Sequence, residues 1–186
     1  MTIQSMALIG TGVMGMGIAQ IAAQAGVEVR LFDAKAGAAE AGLAKLKVIL
    51  EKLQAKGKFT EQVLNETLAR FVVLDSIEQI AGVDLVVEAI IENLEIKQSL
   101  FKQIEAIVAP STILATNTSS LSVTAIASNL EHQGRMAGFH FFNPVPLMKI
   151  VEVIAGLATD EQVVEDLLEL AQRTGHFGVR TKDTPG

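Results

Sequence analysis

Residues 10–15 read Gly-Thr-Gly-Val-Met-Gly and separate a short apolar run from an amphipathic stretch. Glycines at this spacing also occur by chance, so the spacing alone is weak evidence. Here the segment directly follows a predicted strand, residues 6–9, and opens a predicted helix, residues 14–25. A strand, a glycine turn and a helix in this order are typical of the first βαβ unit of a dinucleotide-binding fold. This feature therefore predicts an α/β fold.

The rest of the chain continues the alternation of strands and helices. Short apolar runs rich in branched residues predict strands buried on both faces, which is the pattern of a parallel sheet. Predicted strands are residues 6–9, 27–32, 71–74, 85–89, 113–115, 135–140, 149–154 and 177–179; predicted helices are 14–25, 38–55, 61–69, 94–108, 123–128 and 160–172. We therefore expect residues 1–186 to form one domain, a Rossmann-type, doubly wound, mostly parallel sheet with helices on both faces.

The glycine segment and an acidic residue beyond it predict a dinucleotide site. Gly10 allows a tight turn, Gly12 lets the backbone approach a diphosphate, and Gly15 lets the helix pack close to the sheet. The diphosphate would lie at the helix N-terminus, where free N–H groups and the helix dipole favour negative charge. Asp33, 18 residues after Gly15, would accept hydrogen bonds from ribose hydroxyls and repel a 2′-phosphate. Only Lys35 and no arginine follows it closely, so we expect NAD rather than NADP.

Polar residues also follow the fourth predicted strand, at the edge where open α/β sheets bind ligands. Residues 88–93 read Glu-Ala-Ile-Ile-Glu-Asn. In one interpretation Glu92 binds the ribose on the nicotinamide side and Lys97 supports it. In the other, Glu92 and Glu95 only complement a helix dipole. The residues alone leave both interpretations open.

Residues 116–120, Thr-Asn-Thr-Ser-Ser, follow the fifth predicted strand and should reach the same edge. Helix capping is the better explanation for Ser120 or Ser122. Ser119 is the residue we assign to a substrate hydroxyl.

His140 is the candidate catalytic base. It lies in residues 138–146, Gly-Phe-His-Phe-Phe-Asn-Pro-Val-Pro, and a lone histidine among phenylalanines is more often a core residue than a catalyst. Polar Asn143 and Glu152 lie on the same stretch of chain. If the chain turns back at the prolines, Glu152 could fix the imidazole tautomer and stabilise its cation. His132 and His176 have no such company and are predicted to be structural or solvated.

Composition narrows the remaining classes. A net charge of −6 and a pI near 5.1 argue against nucleic acid or an anionic membrane surface as the main partner. Without cysteine there is no disulfide or thiolate chemistry, and three histidines without an H-E-x-x-H spacing leave little for a metal. No apolar run is long enough to cross a bilayer, and the first residues lack the pattern of a signal peptide. We therefore expect a cytoplasmic protein.

Together these segments resemble the N-terminal NAD-binding domain of the L-3-hydroxyacyl-CoA dehydrogenase family, over essentially the whole chain. Residues 10–15, 88–93, 117–120, 140–146 with Glu152, and the closing 182–186, Lys-Asp-Thr-Pro-Gly, match that family in order and spacing. The resemblance implies that His140 is the general base and Glu152 its carboxylate partner, and that Ser119 and Asn143 line the substrate site. The predicted cofactor residues are Gly10, Gly12, Val13, Met14, Gly15, Asp33, Glu92, Lys97 and Asn117.

The resemblance implies reversible oxidation of a 3-hydroxyacyl-CoA to the 3-ketoacyl-CoA, with neutral His140 taking the hydroxyl proton as hydride leaves C3 for the nicotinamide. The family also places contacts to the CoA phosphates near a lysine-rich stretch here, which predicts a patch of Lys52, Lys56 and Lys58. Each lysine singly is better explained as part of a solvated helix face.

The family continues beyond the position of Gly186 into a helical domain that carries a dimer interface and part of the acyl pocket. We therefore expect this chain to be an isolated domain that binds NAD and turns over slowly, and the full-length form to be a homodimer. Two alternatives stay open. The chain could be an NAD-binding module without catalysis of its own, or a dehydrogenase of a free hydroxy acid that needs no CoA thioester.

Overall fold

The computed structural model describes residues 1–184, which form one eight-stranded sheet in the order β3-β2-β1-β4-β5-β6-β7-β8. The strands are β1 (Ser5–Ile9), β2 (Glu28–Phe32), β3 (Phe71–Val73), β4 (Leu85–Glu88), β5 (Ile113–Thr116), β6 (Met136–Phe141), β7 (Ile150–Ala155) and β8 (Phe177–Lys182). Strands β1 to β6 are parallel, β7 is antiparallel to β6, and β8 is parallel to β7. The order of the first six strands is that of a dinucleotide-binding fold.

Six α-helices cover both faces of this sheet: α1 (Val13–Gln24), α2 (Ala38–Ala55), α3 (Glu61–Ala69), α4 (Leu94–Ile107), α5 (Val123–Ala127) and α6 (Glu161–Arg173). Helices α1, α2, α3 and α6 contribute to one apolar cluster, and α4 and α5 to a second cluster on the other face. Strands β4 and β5 are buried along their whole length because helices enclose them on both sides. The predicted doubly wound, mostly parallel sheet is confirmed.

The ends of the predicted elements agree with the structure to within one residue, except for β8. The predicted strand stopped at residue 179, which was wrong, since β8 continues to Lys182 and pairs with β7 along its full length. The sequence pattern did not extend the strand because Arg180 and Lys182 are charged, and charged side chains are more common in loops than in strands. Two short 3₁₀ helices, Ile77–Ile80 and Gln133–Arg135, were not predicted.

This topology decides where the polar residues meet. The carboxyl ends of the six parallel strands share one edge of the sheet, which carries Gly10, Asp33, Glu88, Asn117 and His140 close to those ends. In residues 1–184, no helix has both the length and the apolar character that a bilayer span requires.

Candidate functional site

The glycine turn after β1 leaves space for a ligand at one glycine and none at two others. Gly10 has a φ of +97°, and a Cβ there would lie 2.6 Å from the carbonyl oxygen of Ala89. A Cβ on Gly15 would lie 1.8 Å from the carbonyl oxygen of Gly10, whereas one on Gly12 would meet nothing within 4 Å. Gly12 caps α1 without a side-chain hydrogen bond, so the first N–H groups of the helix are available to a diphosphate.

Val13 and Met14 form the start of α1 beside this turn. Val13 is 76% exposed, and Met14 is half-buried against the core. Val13 is therefore open to solvent beside the turn, and a role of both residues in cofactor binding stays a prediction.

Asp33 follows β2 and faces the same turn. Its Oδ2 accepts hydrogen bonds from the N–H of Thr11 at 2.8 Å and the hydroxyl of Thr11 at 2.9 Å, and its Oδ1 accepts one from the N–H of Lys35 at 2.9 Å. Partial burial alone would raise the pKa of Asp33, but these hydrogen bonds outweigh burial and hold it below its usual value. Asp33 is therefore an ionised acceptor, which suits a ribose hydroxyl. The residues of this turn fit a dinucleotide without a 2′-phosphate.

Lys97 is fully buried and connects two carboxylates. Its Nζ lies 2.5 Å from Oε2 of Glu88 and 3.2 Å from Oε1 of Glu92. Thr118 donates to Oε2 of Glu92 at 2.7 Å. Burial tends to raise the pKa of Glu92, but the Thr118 hydrogen bond and the charge of Lys97 lower it overall. These contacts agree with the interpretation in which Lys97 supports Glu92. Glu95 lies in the first turn of α4, where a carboxylate complements the helix dipole, and the same role for Glu92 stays an alternative.

Sequence reasoning did not assign Glu88, the partner of Lys97. Glu88 ends β4 and is fully buried. Its Oε1 accepts a hydrogen bond from the hydroxyl of Thr116 at 2.7 Å, and its Oε2 accepts one from the N–H of Ile90 at 2.7 Å. The sequence did mark Glu88 as unusual, because it is an acidic residue at the end of an otherwise apolar strand. Its partner was not evident, since a lysine in an amphipathic helix normally faces solvent.

His140 and Glu152 are directly opposite each other in the antiparallel pair of β6 and β7. His140 Nδ1 lies 3.2 Å from Oε1 of Glu152, and the two side chains are 15% and 32% exposed. With Glu152 accepting, Nδ1 carries the proton and Nε2 is the basic nitrogen, a tautomer assigned from this hydrogen bond. The ring also lies against Phe142, with centroids 4.5 Å apart. The structure therefore brings together the predicted base and carboxylate.

A cavity of about 200 Å³ opens beside this pair. Ser119, His140 and Glu152 all line it, together with residues 181–184. Asn117 lies next to it and accepts a hydrogen bond from the N–H of Phe141 at 2.8 Å, which fixes the end of β6 against the end of β5. Asn143 is exposed and is not among the lining residues.

Asp183 closes one side of the cavity. Its carboxylate accepts hydrogen bonds from the hydroxyl of Ser122 at 2.8 Å and from the N–H groups of Val123 and Thr124 at 2.9 and 2.8 Å. These bonds hold the chain after β8 against the start of α5. Ser122 also caps that helix through the N–H of Ala125, as expected. In the closing segment, residues 185 and 186 lie outside the described part of the chain.

The remaining predicted residues lie away from the cavity. Lys52, Lys56 and Lys58 are exposed, in the last turn of α2 and just beyond it. His132 is exposed, whereas His176 is buried, with its Nε2 3.0 Å from the carbonyl oxygen of Val145. Both therefore have the solvated or structural settings predicted. Within residues 1–184, no three His, Cys, Asp or Glu side chains cluster as metal ligands do.

Comparison with known proteins adds family relationships to this geometry. Residues 5–184 match the family described as "3-hydroxyacyl-CoA dehydrogenase, NAD binding domain". A 3-hydroxyadipyl-CoA dehydrogenase of Escherichia coli K12 is 45% identical over 184 residues, which are 99% of this chain and 39% of that protein. A probable 3-hydroxybutyryl-CoA dehydrogenase of Bacillus subtilis is 45% identical over 186 residues, which are 100% of this chain and 65% of that protein.

A solved structure shares the fold closely. The crystal structure of a 3-hydroxybutyryl-CoA dehydrogenase from Escherichia coli K12 superposes with a TM-score of 0.98 at 44% identity, over 100% of this chain and 39% of that one. The chain spans less than two thirds of the length of each of these relatives.

Proposed function

Because the chain belongs to the NAD-binding domain family of 3-hydroxyacyl-CoA dehydrogenases, we propose that it catalyses the reversible, NAD-dependent oxidation of an L-3-hydroxyacyl-CoA to the 3-ketoacyl-CoA. The observation that carries the proposal is the His140–Glu152 pair, 3.2 Å apart, at the same edge of the sheet as the glycine turn and Asp33. A proton acceptor and a hydride acceptor at one edge are what oxidation of an alcohol requires.

In the proposed mechanism, Nε2 of His140 takes the proton of the 3-hydroxyl group. NAD, when bound, supplies the hydride acceptor for the hydrogen on C3. Glu152 holds the imidazole in the tautomer with a basic Nε2 and stabilises the imidazolium that forms. Ser119 donates a hydrogen bond to the substrate oxygen. Asn143, in the loop after β6, is proposed to line the substrate site.

The cofactor is held by residues from several strand ends. Gly10, Gly12 and Gly15, with Val13 and Met14, form the diphosphate turn. Asp33 would bind the adenosine ribose, Glu92 with Lys97 behind it would bind the other ribose, and Asn117 would contribute to the nicotinamide side of the site. Lys97 is buried, so it acts through Glu92.

The acyl-CoA is proposed to reach the cavity with its phosphates near Lys52, Lys56 and Lys58. The relatives differ in the acyl group that their names specify, adipyl in one and butyryl in another. Acyl-chain length is therefore a question for measurement. A homodimer of the full-length form, and a cytoplasmic location, stay predictions.

The test follows NADH consumption by this chain with acetoacetyl-CoA and with free acetoacetate. The chain contains no Trp or Tyr, so NADH fluorescence is measured against little protein background. Single-turnover conditions, with the chain in excess over NADH, make slow chemistry visible. We expect consumption with the thioester only. Equal rates with acetoacetate would favour a free hydroxy acid as substrate, and NADH binding without turnover of either would favour a binding module.

A further inference from the structure

Thr11, between the first two glycines of the turn, is bonded to Asp33 through two separate groups. Both its backbone N–H and its hydroxyl donate to Oδ2 of Asp33, at 2.8 and 2.9 Å. Thr11 is only 7% exposed, so water competes little for this hydroxyl. A hydrogen bond from a buried donor to an ionised carboxylate is among the stronger ones in proteins.

These bonds determine which oxygen of Asp33 is available to a ligand. An ionised carboxylate has about four acceptor positions, two on each oxygen. Thr11 occupies both positions on Oδ2, and the N–H of Lys35 occupies one on Oδ1 at 2.9 Å. Among residues 1–184, no further donor reaches this carboxylate by hydrogen bonding. The open position is therefore on Oδ1.

We propose that the Thr11 hydroxyl is a positioning group that sets the preference for NAD over NADP, by holding Asp33 with Oδ1 towards the adenosine ribose. The inference rests on the proposed function only in that this turn binds NAD. A ribose hydroxyl would donate a hydrogen bond to Oδ1, whereas a 2′-phosphate would place negative charge at the same position and be repelled. If the carboxylate were free to turn, both the attraction and the repulsion would weaken.

The test removes the hydroxyl and keeps the shape. Thr11→Val retains the branched side chain and the backbone N–H, and Thr11→Ser retains the hydroxyl. Dissociation constants of NADH and NADPH are measured by fluorescence titration. We expect Thr11→Val to bind NADH about tenfold more weakly, with NADPH unchanged or tighter, so that the preference for NADH falls about tenfold or more. Thr11→Ser should keep the parent's preference.

A second measurement uses the titration of Asp33. The hydroxyl of Thr11 is one of the groups that lower the pKa of Asp33, so its removal moves that pKa upward. The NADH affinity of Thr11→Val should therefore begin to fall at a higher pH than the affinity of the parent, and Thr11→Ser should follow the parent.

The matched control is Thr112→Val. Thr112 is 2% exposed and its hydroxyl donates to the carbonyl oxygen of Val83 at 2.8 Å, but it precedes β5 at the opposite edge of the sheet. Loss of the Thr112 hydroxyl should leave the ratio of the NADH and NADPH dissociation constants unchanged. The inference is overturned if Thr11→Val keeps the parent's ratio of NADH to NADPH dissociation constants, whether both affinities stay the same or both fall equally. Failure of the parent to bind NADH would instead overturn the proposed function, and the inference with it.

Discussion

Nζ of Lys97 lies 2.5 Å from Oε2 of Glu88, and both side chains are excluded from solvent. With Glu92 also at 3.2 Å, one buried cation balances two carboxylates that follow or end β4 at the carboxyl edge of the sheet. Removing one partner of a buried pair leaves an uncompensated charge, which costs far more than the pair contributes.

Lys97→Met should lower the free energy of unfolding by about 3–5 kcal/mol. The double variant Lys97→Met with Glu88→Gln should recover part of that loss, because the buried carboxylate is then neutral. Urea denaturation of parent, single and double variants measures both effects. Lys47→Met, at an exposed lysine paired only loosely with Glu51 at 3.9 Å, is the control. If Lys97→Met unfolds like the parent, the buried pair is not formed as described.

The two glycines Gly12 and Gly15 should respond differently to alanine. Gly15→Ala places a Cβ 1.8 Å from a backbone carbonyl oxygen, so we expect it to destabilise the fold severely. Gly12→Ala has open space and should lose only about 1 kcal/mol, which is what alanine costs at a helix N-cap. Gly12→Ala should nevertheless bind NADH at least tenfold more weakly, because the new methyl group occupies the approach of the diphosphate. Thermal unfolding and NADH titration together check the contrast. Parent-like NADH affinity in Gly12→Ala would place the diphosphate elsewhere.

Asp183 should stabilise the protein in a pH-dependent way. Partial burial works to raise the pKa of Asp183, but the hydrogen bonds from Thr124, Val123 and Ser122 lower it overall. A carboxylate with a lowered pKa in the folded state stabilises that state above its ordinary pKa of 3.8 and loses this effect as the pH falls through the folded value. Asp183→Asn should therefore be less stable than the parent by about 1 kcal/mol at neutral pH, as for loss of a helix cap.

The difference between Asp183→Asn and the parent should narrow as the pH falls towards and below 3.8. Urea denaturation over a pH series measures it, with exposed Asp75→Asn as the control. A difference that is constant with pH would mean that the charge of Asp183 does not matter.

The lysine patch is tested by changing Lys52, Lys56 and Lys58 together to glutamine. Exposed ion pairs are worth a few tenths of a kcal/mol each, so we expect KM for acetoacetyl-CoA to rise about three- to tenfold at low salt and less at high salt. NADH affinity should stay at the parent's value. Lys102→Gln, on α4 and therefore on the other face of the sheet, is the control. An unchanged KM would remove the patch from the substrate site.

The fold and the His140–Glu152 pair could be predicted from the sequence because they depend on local patterns. Apolar runs marked the strands, and an antiparallel return after the prolines needs only a short loop to bring Glu152 opposite His140. The glycine turn was predictable for the same reason, since its strand and helix are its immediate neighbours.

The residues that sequence reasoning missed depend on contacts between distant segments. Glu88 was unassigned because its meaning comes from Lys97, which an amphipathic pattern would place in solvent. Asp183 contacts α5 from 60 positions away in the chain. Thr11 lies between two glycines, and the glycine pattern gives no sign that the threonine side chain contacts Asp33. Burial and hydrogen-bond partners, rather than residue type, make these three side chains important.

The most direct test of the account compares NADH affinity with turnover in Glu152→Gln. Because Glu152 orients His140 and stabilises its cation, we predict that turnover of acetoacetyl-CoA falls at least about a hundredfold, while the dissociation constant of NADH stays at the parent's value. Glu66→Gln, at an exposed position on α3, should change neither. Equal losses of turnover and NADH affinity in Glu152→Gln, or turnover like that of the parent, would contradict the assignment of this pair as the proton acceptor and its partner.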